Sequence, residues 1–407
     1  MNTTNIEHQV KKESNIIKYK LLYTVCILLI YLLGREIPLY KIDLVAYTGK
    51  IISAEELLMQ SVGGDTYRYS LFALGISPYM IASILMQVYV AVKRAGTKER
   101  ISPRKMNMMT MFLTLVLAMM QAYLHSQELM YRILGDNLTF VRAVAMIEMV
   151  TGVMVIAWLS DRNKRYGLGG QTVLIYVNII DGIIGTLRGH SFRELMLPIF
   201  ISAGLILVVL FMENTEFRIP LQRISIHNIY ADKNYLAIKM NPIGMMPVMF
   251  STAFFSVPRL LTYGVSILFP DNAKVVWLKE NMTLTKPVGI GVYLLIIYIL
   301  TIGFSMIFIN PRDLTEQFLK SGDCLVGIHA GKETRRYLSR KLRGISFISA
   351  TVMCVCLGLP LMLQYKGDLT GNLVMIPSTV MLLTGMWSTI NQEYQAVKSF
   401  DSYHEFI

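Results

Sequence analysis

Ten stretches of roughly twenty mainly apolar residues divide this chain, and few folds can accommodate that pattern. About twenty such residues are what one helix needs to cross a bilayer. Every backbone N–H and C=O inside the apolar layer must then be satisfied within the protein, which leaves helices for segments of this length. The stretches are residues 21–39, 71–92, 106–125, 140–159, 171–187, 195–212, 243–265, 287–309, 345–363 and 374–397. Charged residues make up only 16% of the sequence, against about 25% in soluble domains. The fold class expected is all-α integral membrane, with ten transmembrane helices. The net charge of +12 must sit chiefly in the connections, because charge at the bilayer centre is costly.

Those connections alternate in charge. Lys93, Arg94, Lys98, Arg100, Arg104 and Lys105 follow the second stretch, and Arg162, Lys164 and Arg165 the fourth. Arg218, Arg223, Lys233 and Lys239 follow the sixth. The connection after the eighth, 310–344, carries Arg312, Lys320, Lys332, Arg335, Arg336, Arg340, Lys341 and Arg343. Loops of the other set hold Arg132, or Arg188 and Arg193, or Lys366. The positive-inside rule places both termini in the cytoplasm and makes 213–242 and 310–344 cytoplasmic loops. This basic balance reads as topology, not as nucleic-acid binding. Five spans on each side of residue 190 give halves 1–190 and 191–407. An odd number of spans per half inverts the second relative to the first, with a functional path at their interface. The first span lacks a small-residue cleavage site, so it is expected to be retained. Cys26, Cys324, Cys354 and Cys356 have no metal-type spacing, and no metal or organic cofactor is expected.

The most unusual stretch is 61–87, SVGGDTYRYSLFALGISPYMIASILMQ. Gly75 and Pro78 interrupt its apolar run. Proline inside a helix removes a donor and clashes with the preceding turn, so two half-helices joined by a hinge are expected here. The preceding segment 41–68, with Glu55, Glu56 and Asp65, is too polar to span. It is expected to fold over, or into, the outer mouth of the bundle.

Polar residues within apolar spans are functional candidates. Glu148 lies in the fourth, and Gln171, Asn178 and Asp181 fall near one face of the fifth. Carboxylates so placed could relay protons in an inverted-repeat solute transporter. The alternative is structural, with Glu148 meeting Arg142 or a donor on another helix, and the polar face of the fifth span lining water. GIHAGKET, residues 327–334, is not a phosphate loop: the glycine spacing is one short and Glu333 separates Lys332 from Thr334. The loop around it is long and mixes acids, bases and glycines, as a structured projection for an acidic partner would.

Several motifs together resemble SecY, the channel subunit of the bacterial protein translocase. REIPL closes the first span, LFALGISPYMIASILMQ occupies 71–87, and YGLGG opens the fifth span. RIPLQ, KMNPIGMMPVMF and INPRDLTEQFLKSGDCLVGIHAGKETRRYL follow in family order. The resemblance implies two five-helix halves around an hourglass pore. It implies a plug at 61–74, centred on Gly63, Gly64, Asp65, Thr66 and Tyr67. It also implies a constriction ring of Ile76, Met80, Thr172, Tyr176, Met249 and Val380, where flexible side chains block ions by dewetting. A lateral gate would run along Ser77, Ser83 and Gln87 on one side and Met246 and Phe250 on the other. A SecA-type motor ATPase would dock on Arg218, Arg223, His329, Lys332, Arg335, Arg336 and Arg340, and SecE-like and other small membrane subunits would complete the assembly. Two departures stand out: Thr172 and Tyr176 replace aliphatic ring residues, and His329-Ala330 replaces the family's Arg-Pro. With the short tail after Val397, these look like the accessory SecY of Gram-positive bacteria. That branch implies a dedicated accessory motor and, as unfolded passengers, serine-rich-repeat glycoprotein adhesins.

Overall fold

The computed structural model describes residues 3–43, 69–96, 102–132, 137–187, 190–223, 235–268, 272–284, 286–366 and 371–401. It divides into two compact units, Met1–Ser191 with Met386–Ile407, and Phe192–Gly385.

The first unit holds α1 (Thr3–Arg35), α2 (Ser77–Gly96), α3 (Pro103–Glu128), α4 (Leu138–Tyr166) and α5 (Thr172–Leu187). The second holds α6 (Phe192–Asn214), β1 (Glu216–Arg223), β2 (Tyr235–Lys239), α7 (Met246–Leu268) and α8 (Ala273–Asn281). It continues with α9 (Pro287–Phe308), α10 (Pro311–Ser321), β3 (Asp323–Leu325), α11 (Lys332–Lys366) and a single 3₁₀ turn, Gly371–Val374. The last helix, α12 (Met375–Asp401), begins in the second unit and ends in the first. Each of the ten apolar stretches falls on one of α1–α7, α9, α11 and α12. Among the described residues six helices are long and apolar enough to cross a membrane, and Ser77–Val90 and Thr172–Leu187 are shorter apolar helices.

Within the first unit α2 packs on α3, α3 on α4, and α4 on α1. Ala118, Ala122, Met149 and Val153 are fully or almost fully buried there beside Leu39, Ala73 and Leu74. The chain after α1 leaves the helical layer but stays ordered. Leu39 donates to the Tyr69 carbonyl at 2.8 Å, Leu71 to Ile37 at 2.8 Å, and Arg132 to Lys41 at 2.9 Å. These bonds give the extended 37–43 segment partners from two other loops, which helix geometry alone would not supply.

Among the described residues just before the hinge, 69–76, no half-helix forms. Residues 71–76 form successive turns, with Gly75 at φ 59° and its N–H on the Phe72 carbonyl at 2.7 Å. Helix α2 begins at Ser77, which puts Pro78 in its first turn. There the missing N–H is not needed and the fixed φ suits the helix. Pro78 therefore starts a helix and breaks none.

In the second unit α9 lies against α11 and α7. The loops 213–242 and 310–344 hold regular structure among their described residues: β1 pairs antiparallel with β2 and with β3, giving the order β2-β1-β3. Ile219, Ile238, Leu325, Leu338 and Leu342 form the core beneath this sheet, with Leu314, Phe318 and Ile345 packed against it. Helix α11 carries the ninth apolar stretch and extends well beyond it at the N-terminal end, so residues 332–344 are its opening turns.

Candidate functional site

The site residues fall into three groups, each built on a fastened scaffold. Ile76 immediately precedes α2, and the Met80 N–H donates to its carbonyl at 3.1 Å; both side chains are buried. Thr172 opens α5 and Tyr176 lies one turn on, both half-buried. The first unit thus offers two pairs at one-turn spacing. In the second unit Met249 is buried in α7, and Val380 is half-buried in α12, where its carbonyl accepts the Thr384 hydroxyl at 2.9 Å.

On α2, Ser77 and Ser83 are half-buried, and Gln87 Nε2 donates to Ser83 Oγ at 3.1 Å. Met246 is exposed at the start of α7, whereas Phe250 is buried edge-on to Phe304, with ring centroids 6.3 Å apart. Gly63, Gly64, Asp65, Thr66 and Tyr67 lie outside the described residues, as do Glu55 and Glu56.

The end of the 61–74 stretch is built into the core. Phe72 stacks on Tyr31 of α1, with ring centroids 5.7 Å apart and planes 9° from parallel. A Cβ on Gly34 would lie 2.0 Å from the Phe72 ring, and one on Gly152 would lie 2.1 Å from the Leu71 carbonyl oxygen. Both helices need glycine because another segment occupies the side-chain space. Tyr69–Leu74 thus packs as a wall against α1 and α4.

The polar residues inside the spans are committed to structural bonds. Glu148 Oε2 accepts the Tyr40 backbone N–H at 2.9 Å, so its donor comes from the extended segment after α1, not from Arg142 or a helix. Asp181 binds Arg35 at 2.9 Å, with the guanidinium side chain only 3% exposed and the aspartate side chain 39%. Asn178 does not line water: it is fully buried and accepts the Tyr31 hydroxyl at 2.8 Å. The relay arrangement read from the sequence thus becomes a seam between α1 and α5.

The entry to α5 is fastened from three helices. Thr24 of α1 donates to Asn163 Oδ1 at 3.0 Å and accepts the Leu168 N–H at 2.9 Å. Asn163 Nδ2 donates to the carbonyls of Leu168 and Gly170 at 3.0 and 2.8 Å. Glu393 of α12 accepts the Gly169 N–H at 2.9 Å. Gly169 and Gly170 both take positive φ, 70° and 46°, as the reversal into α5 requires.

The basic residues lie on β1, on the turn after β3 and on the opening turns of α11. Arg218 stacks over Tyr235 at 4.6 Å and lies 3.7 Å from Glu216. Arg223 faces Asp323 in the strand register. His329, Lys332, Arg335, Arg336 and Arg340 are exposed, while Leu338 and Leu342 anchor the same helix in the core. Lys341 turns back over the rings of Phe217 and Tyr337 at 5.2 and 5.7 Å. A second knot lies nearby: Asn241 donates to Glu213 Oε1 at 2.9 Å and accepts the Ser349 hydroxyl at 3.2 Å, with all three residues buried. Sequence reasoning missed both knots, the α1 partners and Glu393. One signal was available for the seam, since two opposite charges in neighbouring apolar spans must find each other.

Comparison with known proteins agrees with this architecture. The SecY family model matches residues 70–385. An accessory Sec system protein translocase subunit SecY2 from Streptococcus agalactiae serotype Ia is 28% identical over 395 residues, covering 95% of each chain. The protein of that name from Streptococcus pneumoniae serotype 4 is 28% identical over 97% of this chain and 99% of its own. One from Leuconostoc gelidum subsp. gasicomitatum is 29% identical over 94% and 95%. A solved protein-conducting channel matches the fold with a TM-score of 0.66 at 17% identity, over 95% of this chain and 93% of that one. Sec61 from a canine ribosome–channel complex matches with a TM-score of 0.59 at 16% identity, over the same shares. The helices that carry the ten apolar stretches, the wall ahead of α2 and the sheeted loops are thus those of a chain that belongs to the SecY family.

Proposed function

We propose that this chain is the protein-conducting channel of an accessory Sec translocase in the cytoplasmic membrane, with both termini in the cytoplasm. The observation that carries this reading is the near end-to-end likeness to accessory SecY2 subunits, which extends over almost all of each chain. In this reading Ile76, Met80, Thr172, Tyr176, Met249 and Val380 form the constriction. Flexible side chains close around a passing polypeptide, and their apolar majority excludes water when the channel is idle. Thr172 and Tyr176 make that ring more polar than an all-aliphatic one. The plug lies in 61–74, and the gate lies along Ser77–Gln87 and the first turns of α7.

The channel passes an unfolded chain and hydrolyses nothing itself. Work comes from a SecA-type accessory motor, which docks on Arg218, Arg223, His329, Lys332, Arg335, Arg336 and Arg340. SecE-like and other small membrane subunits complete the assembly, and serine-rich-repeat glycoprotein adhesins are the proposed passengers. The proton-relay alternative has no support, since Glu148 and Asp181 are held by Tyr40 and Arg35. The decisive experiment places cysteine at Met249 and looks for a crosslink to a stalled secretory chain. An adduct that depends on the motor is expected. No adduct, with solute uptake that disappears in Glu148→Gln, would reverse the reading.

A further inference from the structure

Helix α5 and the turns just ahead of α2 both meet α1 at Tyr31 and Arg35. Tyr31 and Arg35 are one turn apart there, and they bond Asn178 and Asp181, three residues apart on α5, at 2.8 and 2.9 Å. At 3.6 residues per turn Asn178 and Asp181 lie on nearly the opposite side of α5 from Thr172 and Tyr176. Fastening the first pair to α1 therefore turns the second pair away from it. Tyr31 does a second thing: its ring stacks on Phe72, four residues before Ile76. The Arg35 guanidinium lies over that same tyrosine ring, 5.8 Å from its centroid.

We infer that Tyr31 and Arg35 are positioning residues that set both of the first unit's contributions to the constriction, Ile76–Met80 through Phe72 and Thr172–Tyr176 through the seam to α5. The inference rests on the proposed ring. The two members of the ion pair differ in burial, 3% for Arg35 and 39% for Asp181. Removing the aspartate leaves an almost fully buried guanidinium without its carboxylate, whereas removing the arginine leaves a carboxylate that is much less enclosed by protein. Asp181→Ala should therefore be the more disruptive change, although neither residue is in the ring.

The test uses the full-length channel with its motor and small subunits, reconstituted in planar bilayers. Asp181→Ala should raise the idle ion conductance about tenfold, as a shift of about 1.4 kcal/mol in the closed-state equilibrium would. Arg35→Ala and Tyr31→Phe should raise it less, and Asp181→Glu should restore it. Tyr31→Phe removes only a hydroxyl, so it keeps the test alive if the alanine variants fail to assemble. A cysteine at Tyr176, crosslinked to a stalled passenger, separates the two levels of the argument. If the parent gives that adduct while the assembled variants keep parental conductance, the positioning role is overturned. If the parent gives none, the ring assignment fails and takes the inference with it.

Discussion

The Gly169 backbone N–H donates to Glu393 Oε2 at 2.9 Å, which fastens the last helix onto the loop that opens α5. The bond is charge-assisted and the carboxylate is half-buried. Glu393→Ala should cost about 1.5 kcal/mol, at the lower end for hydrogen bonds to charged groups, and Glu393→Gln less, because an acceptor remains. Thermal unfolding in detergent measures the first effect. Faster proteolysis between Tyr166 and Gly170 in the alanine variant would localise it.

Gly152 and Gly204 make a matched pair. A Cβ on Gly152 would meet the Leu71 carbonyl oxygen at 2.1 Å, whereas one on Gly204 meets nothing within 4 Å. Backbone cannot step aside as a side chain can, so Gly152→Ala should destabilise by about 2–3 kcal/mol, as overpacking does. Gly204→Ala, in the middle of α6, should stabilise by up to about 1 kcal/mol, since alanine suits a helix interior better. Equal melting temperatures for the two variants would contradict the placement of Leu71 against α4.

Asn241 serves Glu213 and Ser349 together. Asn241→Ala strips a buried carboxylate of a donor and a buried hydroxyl of its acceptor. Each orphaned group costs about 1–3 kcal/mol, so the variant should be destabilised more than Ser349→Ala, which removes one bond. A double-mutant cycle over Asn241 and Ser349 should give an interaction energy of at least about 0.5 kcal/mol.

Exposed charge on α11 should set motor association without touching stability. Arg336→Glu combined with Arg340→Glu should slow association with the motor about tenfold at low salt, an effect that weakens as salt screens the surface. The melting temperature should stay at the parent value. His329→Arg tests partner choice in the same assay: productive engagement of the general motor by this variant would place specificity in the loop, and no change would place it elsewhere.

Much of the fold was legible because apolar length is a strong signal: each of the ten stretches lies on a helix. What failed was local. Pro78 looks the same in sequence whether it breaks a helix or begins one, and only the turns at 71–76 decide between them. Gly34 and Gly152 gave no sequence signal, since their reason lies on Phe72 and Leu71, far along the chain. Asp181 was visible as an intramembrane acid, but its partner Arg35 was read only as part of the REIPL motif. Pairing across spans is a property of packing, so a single-chain pattern suggests it without fixing it. The loop 310–344 reads as structured, yet the sheet its one strand β3 shares with β1 and β2 of 213–242 does not show in the sequence, because β1 carries Pro220 and β3 has three residues.

The bonds from Leu39 to Tyr69, Asp43 to Met130 and Arg132 to Lys41 have a consequence for how this chain can vary. The backbone on either side of 44–68 is already tied down, with Leu39 bonded to Tyr69 and Asp43 to Met130. Closing a loop whose ends are fixed depends only weakly on its length, about 0.6 kcal/mol for each doubling. Deletions and insertions could therefore be traded at this point while α1, α2 and the wall between them keep their places. In such a molecule the connection can evolve apart from the frame that holds it.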